Sequence, residues 1–173
     1  DYVVISNKTS KHLETIDNLK LSGFSGDVLV EKPIHHEMIA NSYHCFKSLH
    51  VAYNLRFHPL VIRLKNLIEH EKIVSSYFYV GQDLSDWRPG RDYRTIYSAS
   101  SKDGGGVLHD LSHDIDLVYF LLGKCKKIAA LGGKYSDLEI SSDDIYSVLI
   151  STSLCPVVTM QMNYLDKKAK RRI

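Results

Sequence analysis

The sequence has no Cys-x-x-Cys pair and only three cysteines, Cys45, Cys125 and Cys155, far apart and odd in number. That pattern excludes a disulfide framework and a cysteine zinc cluster, and buried free thiols in a reducing compartment are expected instead. No apolar run comes near the ~18 residues needed to span a bilayer. The opening Asp1-Tyr2-Val3-Val4-Ile5-Ser6 has no basic stretch and no cleavage-type tail, so a secretory signal is not expected there. A cytoplasmic location with no membrane partner follows as the expectation. There is no internal repeat and no low-complexity segment.

What is present is ordinary globular composition. With 44% hydrophobic and 24% charged residues, the chain has enough apolar material for a sizeable core and too little charge for disorder. Its 173 residues hold one domain, or one domain with part of another. The net charge of +2 is unevenly placed. Lys167, Lys168, Lys170, Arg171 and Arg172 crowd the end of a mildly acidic body. No aromatic residues interleave with them as a single-strand binder requires, so a solvated end and no nucleic-acid partner are expected.

The β-branched run Tyr2-Val3-Val4-Ile5 ends in a polar turn, and residues 10–21 carry a modest helical stripe of Leu13, Ile16, Leu19 and Leu21. Val28-Leu29-Val30 reads as a second strand, residues 36–47 as a helix, and residues 50–55 as a third strand. Strand–helix–strand–helix–strand implies parallel pairing in an α/β layer. Three strands are too few for a doubly wound sheet, so a part upstream is expected to be missing. From residue 55 the pattern changes. Pro59 opens a helix with Leu60, Val61, Leu64, Leu67 and Ile68 on one stripe. Residues 72–82 read as a strand, 105–123 as a helix, and 126–132, 144–152 and 157–165 as further strands. The expected fold is α/β: a parallel sheet over residues 1–54, then an α+β unit over 55–173 with a mostly antiparallel open sheet and helices on one face. An exposed, Tyr-rich sheet would suit pairing with a second copy, so a homo-oligomer through that C-terminal sheet is expected.

The most informative stretch runs from Gly104-Gly105-Gly106 through Val107-Leu108-His109-Asp110-Leu111-Ser112-His113-Asp114-Ile115-Asp116. At about 100° per residue, Val107, Leu111, Ile115, Val118 and Leu122 share one face, and His109, His113 and Asp116 share the other. Three readings of that polar face stand side by side. It is a solvated surface; or His109 and His113 form a His-x-x-x-His metal pair, as in a metal hydrolase, although no third ligand is evident; or imidazole and carboxylate form an acid/base pair.

The glycine triplet, the Asp and His, the second Asp three residues later and the closing Leu-Leu-Gly resemble the catalytic helix of the Gfo/Idh/MocA (glucose-fructose oxidoreductase/inositol dehydrogenase) family. Val30-Glu31-Lys32-Pro33 is similar to that family's Glu-Lys-Pro motif after a buried strand. Tyr53-Asn54-Leu55-Arg56-Phe57-His58-Pro59 is similar to its crossover between domains. The order and separation of the three also fit. The resemblance implies an oxidoreductase that transfers hydride between NAD or NADP and a hydroxyl or keto group of a sugar-type substrate. It implies Lys32, Asp110 and His113 as catalytic residues, Glu31, Lys32 and Pro33 as cofactor-binding, and no metal. His113 would accept the hydroxyl proton, Lys32 would stabilise charge on the oxygen, and Asp110 would orient or share the proton.

Two departures qualify the resemblance. The family's Asp usually precedes its His by four residues; here Asp110 precedes His113 by three, and His109 occupies the four-residue position. The Gly-x-Gly-x-x-Gly turn and ribose-binding acid that hold a dinucleotide are not in the sequence. Residues 1–54 thus resemble the second half of a Rossmann domain, truncation at both ends is expected, and these 173 residues are expected to bind NAD(P) weakly or not at all. Candidate substrate contacts are Asn54, Arg56, His109 and the loop residues Trp87, Arg88, Arg91 and Tyr93. Guanidinium groups and aromatic rings there would suit an acidic sugar or sugar nucleotide, as in family members of surface-polysaccharide pathways. The alternative is a non-catalytic module that oligomerises through its sheet.

Overall fold

In the computed structural model, residues 1–37 and 43–173 are described. Strands β1 (Tyr2–Ile5), β2 (Asp27–Val30) and β3 (Ser48–Val51) form a parallel sheet in that order. Helix α1 (His12–Leu21) joins the first two strands. Ile5, Ile16, Val28, Val30 and Phe46 form its small core. The third strand lies earlier than the 50–55 run suggests, because Asn54–Phe57 winds into a 3-10 turn. A helix over 36–47 is not found in the described part: residues 36–37 and 43–47 are non-helical, and 38–42 lie outside the described residues.

Helix α2 (Pro59–Ile68) begins with proline in its first turn, where the missing N–H costs nothing. Only Val61 is buried, with Leu64 and Ile68 packed on the core; Leu60 and Leu67 are exposed, which narrows the expected stripe. Strands β4 (Ser75–Gly81), β5 (Cys125–Gly133), β6 (Ile145–Thr152), β7 (Val157–Asn163) and β8 (Lys170–Arg172) make the second sheet, ordered β5-β6-β7-β4-β8. Pairing is antiparallel except for β4 with β7, which run parallel. One face carries Phe78, Val80, Val148, Ile150, Val158, Met160 and Met162 into the larger core. The other leaves Tyr77, Leu149 and Val157 exposed, as period-two alternation requires.

The glycine-rich segment leads into two helices rather than one. Helix α3 (Val107–Asp110) stops at Leu111, whose ψ of 17° breaks the winding, and α4 (Ser112–Leu122) restarts it. The break rephases the apolar face: Leu117, Val118, Leu121 and Leu122 are buried, while Ile115 is exposed. Gly104 and Gly106 have φ of 83° and 126°, a region that side chains resist, and a Cβ on Gly105 would lie 2.2 Å from the Tyr97 carbonyl.

Two expectations from composition are corrected. The basic tail is not a free solvated end: Lys170–Arg172 pair with β4, and Lys167 meets Asp83 at 2.5 Å. Cys45 and Cys125 are exposed; only Cys155 is buried, and all three are free thiols. Among the described residues, no helix is long and apolar enough to cross a membrane.

Candidate active site

In α/β folds, ligands collect at the carboxyl ends of parallel strands, where loops diverge and helix N-termini point inward. Here those ends release Ser6-Asn7 after β1 and Glu31-Lys32 after β2. They line a cleft of about 470 Å³ together with Lys8, Thr9, His12, Arg88 and Tyr97. His12 is 1% exposed and binds the Pro33 carbonyl through Nδ1 (2.9 Å) and the Asn7 carbonyl through Nε2 (3.2 Å). The imidazole thus ties the two loops together, a role that no motif in the sequence announced.

Lys32 reaches across from the first sheet to the glycine-led helix. Its Nζ donates to the Asp110 carbonyl oxygen at 2.5 Å. Burial lowers its pKa from the ordinary lysine value, against the opposing pull of Asp110 and Glu31. The Asp110 carboxylate is buried and doubly bound: Tyr97 Oη donates to Oδ1 at 2.8 Å and Tyr164 Oη to Oδ2 at 2.5 Å. Burial and the neighbouring carboxylate push both tyrosines up, so both stay protonated and donate. Tyr97 therefore stands on the wall of the cleft with Asp110 behind it.

His113 lies in the first turn of α4. Its ring meets Tyr53 edge-on, with centroids 5.7 Å apart. Its Nδ1 is buried with no hydrogen-bond partner among the described residues. Burial first, then the charges of Lys32 and Arg171, hold its pKa down to about 4, so the ring is neutral near pH 7. Asp114 and Asp116, its neighbours on α4, are buried and each takes an arginine. Arg171 binds Asp114 with Nε at 2.9 Å and Nη2 at 3.1 Å, and Arg56 Nε binds Asp116 at 2.7 Å. The polar face of this helix is thus internal rather than solvated.

The other sequence candidates fall in different places. Arg88 lines the cleft; Arg91 is exposed and is not among the lining residues. Trp87 packs edge-on against Tyr164 at 5.2 Å, and the Tyr93 hydroxyl accepts from the Glu139 amide. Asn54 and Arg56 border a separate cavity of about 660 Å³ with Tyr53 and the outer face of the first sheet. His109 Nδ1 lies 3.3 Å from the Gly105 carbonyl. Among the described residues, no group of three or more His, Cys, Asp or Glu gathers to hold a metal ion. Ser6, Asn7, Thr9 and His12 are cleft residues that sequence reading missed, although their place just after a strand was a usable signal.

A family model described as the GFO/IDH/MocA C-terminal domain matches residues 61–172. The chain belongs to this family. No curated protein matches it in sequence. Among solved structures, levoglucosan dehydrogenase in complex with NADH and levoglucosan is 21% identical with a TM-score of 0.78, covering 98% of this chain and 49% of that one. An oxidoreductase from Thermotoga maritima is 21% identical with a TM-score of 0.74, covering 99% and 55%. An oxidoreductase from Agrobacterium radiobacter, in complex with NAD+, L-tartaric acid and magnesium, is 18% identical with a TM-score of 0.70, covering 97% and 49%. At these identities the likeness establishes the fold. The chain spans about half the length of the structures it matches.

Proposed function

We propose that this chain forms the catalytic portion of an NAD(P)-dependent oxidoreductase acting on a hydroxyl or keto carbon of a sugar-type substrate. The observation that carries the reading is the meeting of the Lys32 amine with Asp110, beside a neutral His113, at the carboxyl edge of a parallel sheet. In this reading residues 1–54 belong to a dinucleotide-binding unit and 55–173 to a substrate unit. The cleft residues fit the nicotinamide end of a dinucleotide: loops at strand ends, Glu31 and Lys32 with Pro33 behind them, and the Ser6–Thr9 turn. The glycine-rich pyrophosphate turn is not among these residues, so the 173-residue chain alone is proposed to bind NAD(P) weakly or not at all.

When bound, a nicotinamide dinucleotide supplies the hydride acceptor or donor. The chain's own residues manage the proton. The neutral imidazole of His113 accepts the substrate hydroxyl proton, and returns it in the reverse direction. Lys32, anchored on Asp110, places its amine against the same oxygen and stabilises the charge that develops there. Asp110 acts from behind, clamped by Tyr97 and Tyr164 so that its carbonyl holds Lys32 at a fixed angle. Lys8, Lys32 and Arg88 line the cleft against a single acid, Glu31, a cationic balance that favours an acidic sugar or sugar nucleotide. The neighbours solved with NADH and levoglucosan, and with NAD+ and L-tartaric acid, support the choice of cofactor and of a hydroxyl-bearing, sugar-type substrate.

The open sheet face supports a homo-oligomer. Leu131, Leu149 and Val157 are 51–76% exposed on the open face of adjacent strands, an apolar patch of the kind that marks an interface. The test of the catalytic reading is kinetic. In the full-length gene product carrying this sequence, His113→Ala should abolish NAD(P)-linked turnover of keto or hydroxy sugars while cofactor binding survives. Undiminished turnover would remove His113 from the chemistry.

A further inference from the structure

Three arginines, Arg88, Arg91 and Arg94, stand close together in the sequence, and the structure uses them differently. Arg94 is spent within its own loop: its guanidinium binds Asp92 at 2.8 Å and Glu139 at 2.8 Å. Arg88 and Arg91 are exposed and close a tight turn, in which the Arg91 amide donates to the Arg88 carbonyl at 3.0 Å. Pro89 presets the second position of that turn. Gly90 takes the third with φ of 79°, the left-handed value that a type II turn requires there. The two arginines are thus its first and last residues, with Cα atoms less than about 7 Å apart. The turn is held from both sides. Ahead of it, Asp83 accepts from the Ser85 amide at 3.0 Å, and Trp87 packs edge-on against buried Tyr164. Behind it, Asp92 accepts from the Arg94 amide at 3.0 Å. A backbone fixed before any ligand arrives leaves only the two side chains to be ordered on binding.

Arg88 lines the cleft at the strand ends together with Lys32, and Arg91 stands just outside it, so the pair leads from the cleft wall outward. Lys8, the other cleft cation, is turned to Asp103 at 3.4 Å. Lys32, Arg88 and Arg91 then face one cleft acid, Glu31, an excess of two positive charges. A single carboxylate is satisfied by one guanidinium, which binds it through two parallel hydrogen bonds. Two adjacent guanidiniums and an excess of two charges suit an anion with two charged centres side by side, which is a diphosphate diester. We propose that Arg88 and Arg91 form a clamp for the diphosphate of a nucleotide-linked sugar, which sets the sugar in the cleft and leaves the nucleoside outside it. The inference deepens the proposed function by choosing between a free sugar acid and a sugar nucleotide. It rests on that reading only for the sugar's place beside Lys32.

The test is equilibrium binding by calorimetry to the full-length gene product carrying this sequence, with inorganic pyrophosphate and D-glucuronate as probes. It is run at saturating NADH, so that the cofactor's own diphosphate site is filled; if NADH does not bind, no cofactor site competes and the bare protein serves. Pyrophosphate should bind more tightly than glucuronate. Arg88→Gln and Arg91→Gln should each weaken pyrophosphate by about tenfold, the loss of one charge-assisted contact. Arg88→Lys keeps the charge without the fork and should recover only part of that loss. Lys126→Gln, which removes an exposed charge on β5, should change nothing and so separates the clamp from a general loss of charge. Both arginines are exposed on a loop, so their variants keep the fold. Pyrophosphate affinity that is absent or survives Arg91→Gln, or tighter binding of glucuronate, overturns the proposal. Weaker NADH binding in the arginine variants would assign the clamp to the cofactor and overturn it equally. Absence of NAD(P)-linked turnover bears on the proposed chemistry and leaves this binding result standing, so the two fail separately.

Discussion

Tyr164→Phe removes one oxygen atom from the most enclosed side chain of the site. Tyr164 is fully buried, its ring packs against Trp87, and its hydroxyl donates to Asp110 at 2.5 Å. The phenyl ring retains that packing, so the loss is confined to one bond to a charged acceptor. Such bonds contribute about 1.5–3 kcal/mol, because the abandoned carboxylate oxygen has no water to turn to. For a chain of this size each kcal/mol moves the melting temperature by about 2–4 °C, so a drop of roughly 3–12 °C is expected. Urea unfolding followed by circular dichroism measures it, with Asp110→Asn and the double variant completing a cycle. The cycle should give a coupling of about 1–2 kcal/mol. Equal stability of Tyr164→Phe and the parent chain, or zero coupling, would refute the account of Asp110 as a clamped anchor.

Three further outcomes follow from the same geometry. His113 is held near 4 against an ordinary value of 6.5, so between these pH values the unfolded chain binds a proton that the native chain does not. Its contribution to stability therefore falls as pH drops from about 6.5 toward 4, and His113→Gln should flatten that part of the stability–pH curve. Arg56→Met leaves Asp116, with its side chain 8% exposed, without its cation. A cost of about 1–3 kcal/mol is expected in urea unfolding, less than for a fully buried pair because Arg56 is partly wet, and Arg56→Met with Asp116→Leu should recover most of it. Leu131→Glu, on the exposed strand β5, should leave the fold intact and shift the protein to a smaller mass in light scattering. An unchanged mass there would remove the sheet face as the interface.

The parts legible in the sequence are those written locally. The β-branched runs marked β1, β2, β4, β6 and β7, Pro59 marked the start of α2, and the glycine triplet marked the loop before the polar helix. Lys32 and Asp110 come from separate motifs, and the fold brings the Lys32 amine to the main-chain carbonyl of Asp110 across 78 residues, a contact that does not involve the Asp110 carboxylate. What was missed depends on distant partners. Nothing near Leu111 signals the break between α3 and α4; it comes with a helix whose two halves bury different faces. The solvated reading of the acidic positions failed because their partners lie far away, Arg171 being 57 residues from Asp114 and Arg56 60 residues from Asp116. The basic tail read as a solvated end by charge alone, yet strand pairing with β4 places one of its arginines on Asp114 of α4. Composition likewise gave no warning that Cys45 and Cys125 would face solvent.

The central claim, hydride transfer served by Lys32 and His113, is tested most directly by isotope. The full-length gene product is incubated with a keto sugar acid and NADH or NADPH deuterated at the nicotinamide C4, and the product is analysed by mass spectrometry. The account predicts one deuterium on the new carbinol carbon, formed by the parent protein and not by His113→Ala. A reduced product without deuterium, or equal labelling by the His113 variant, would contradict it.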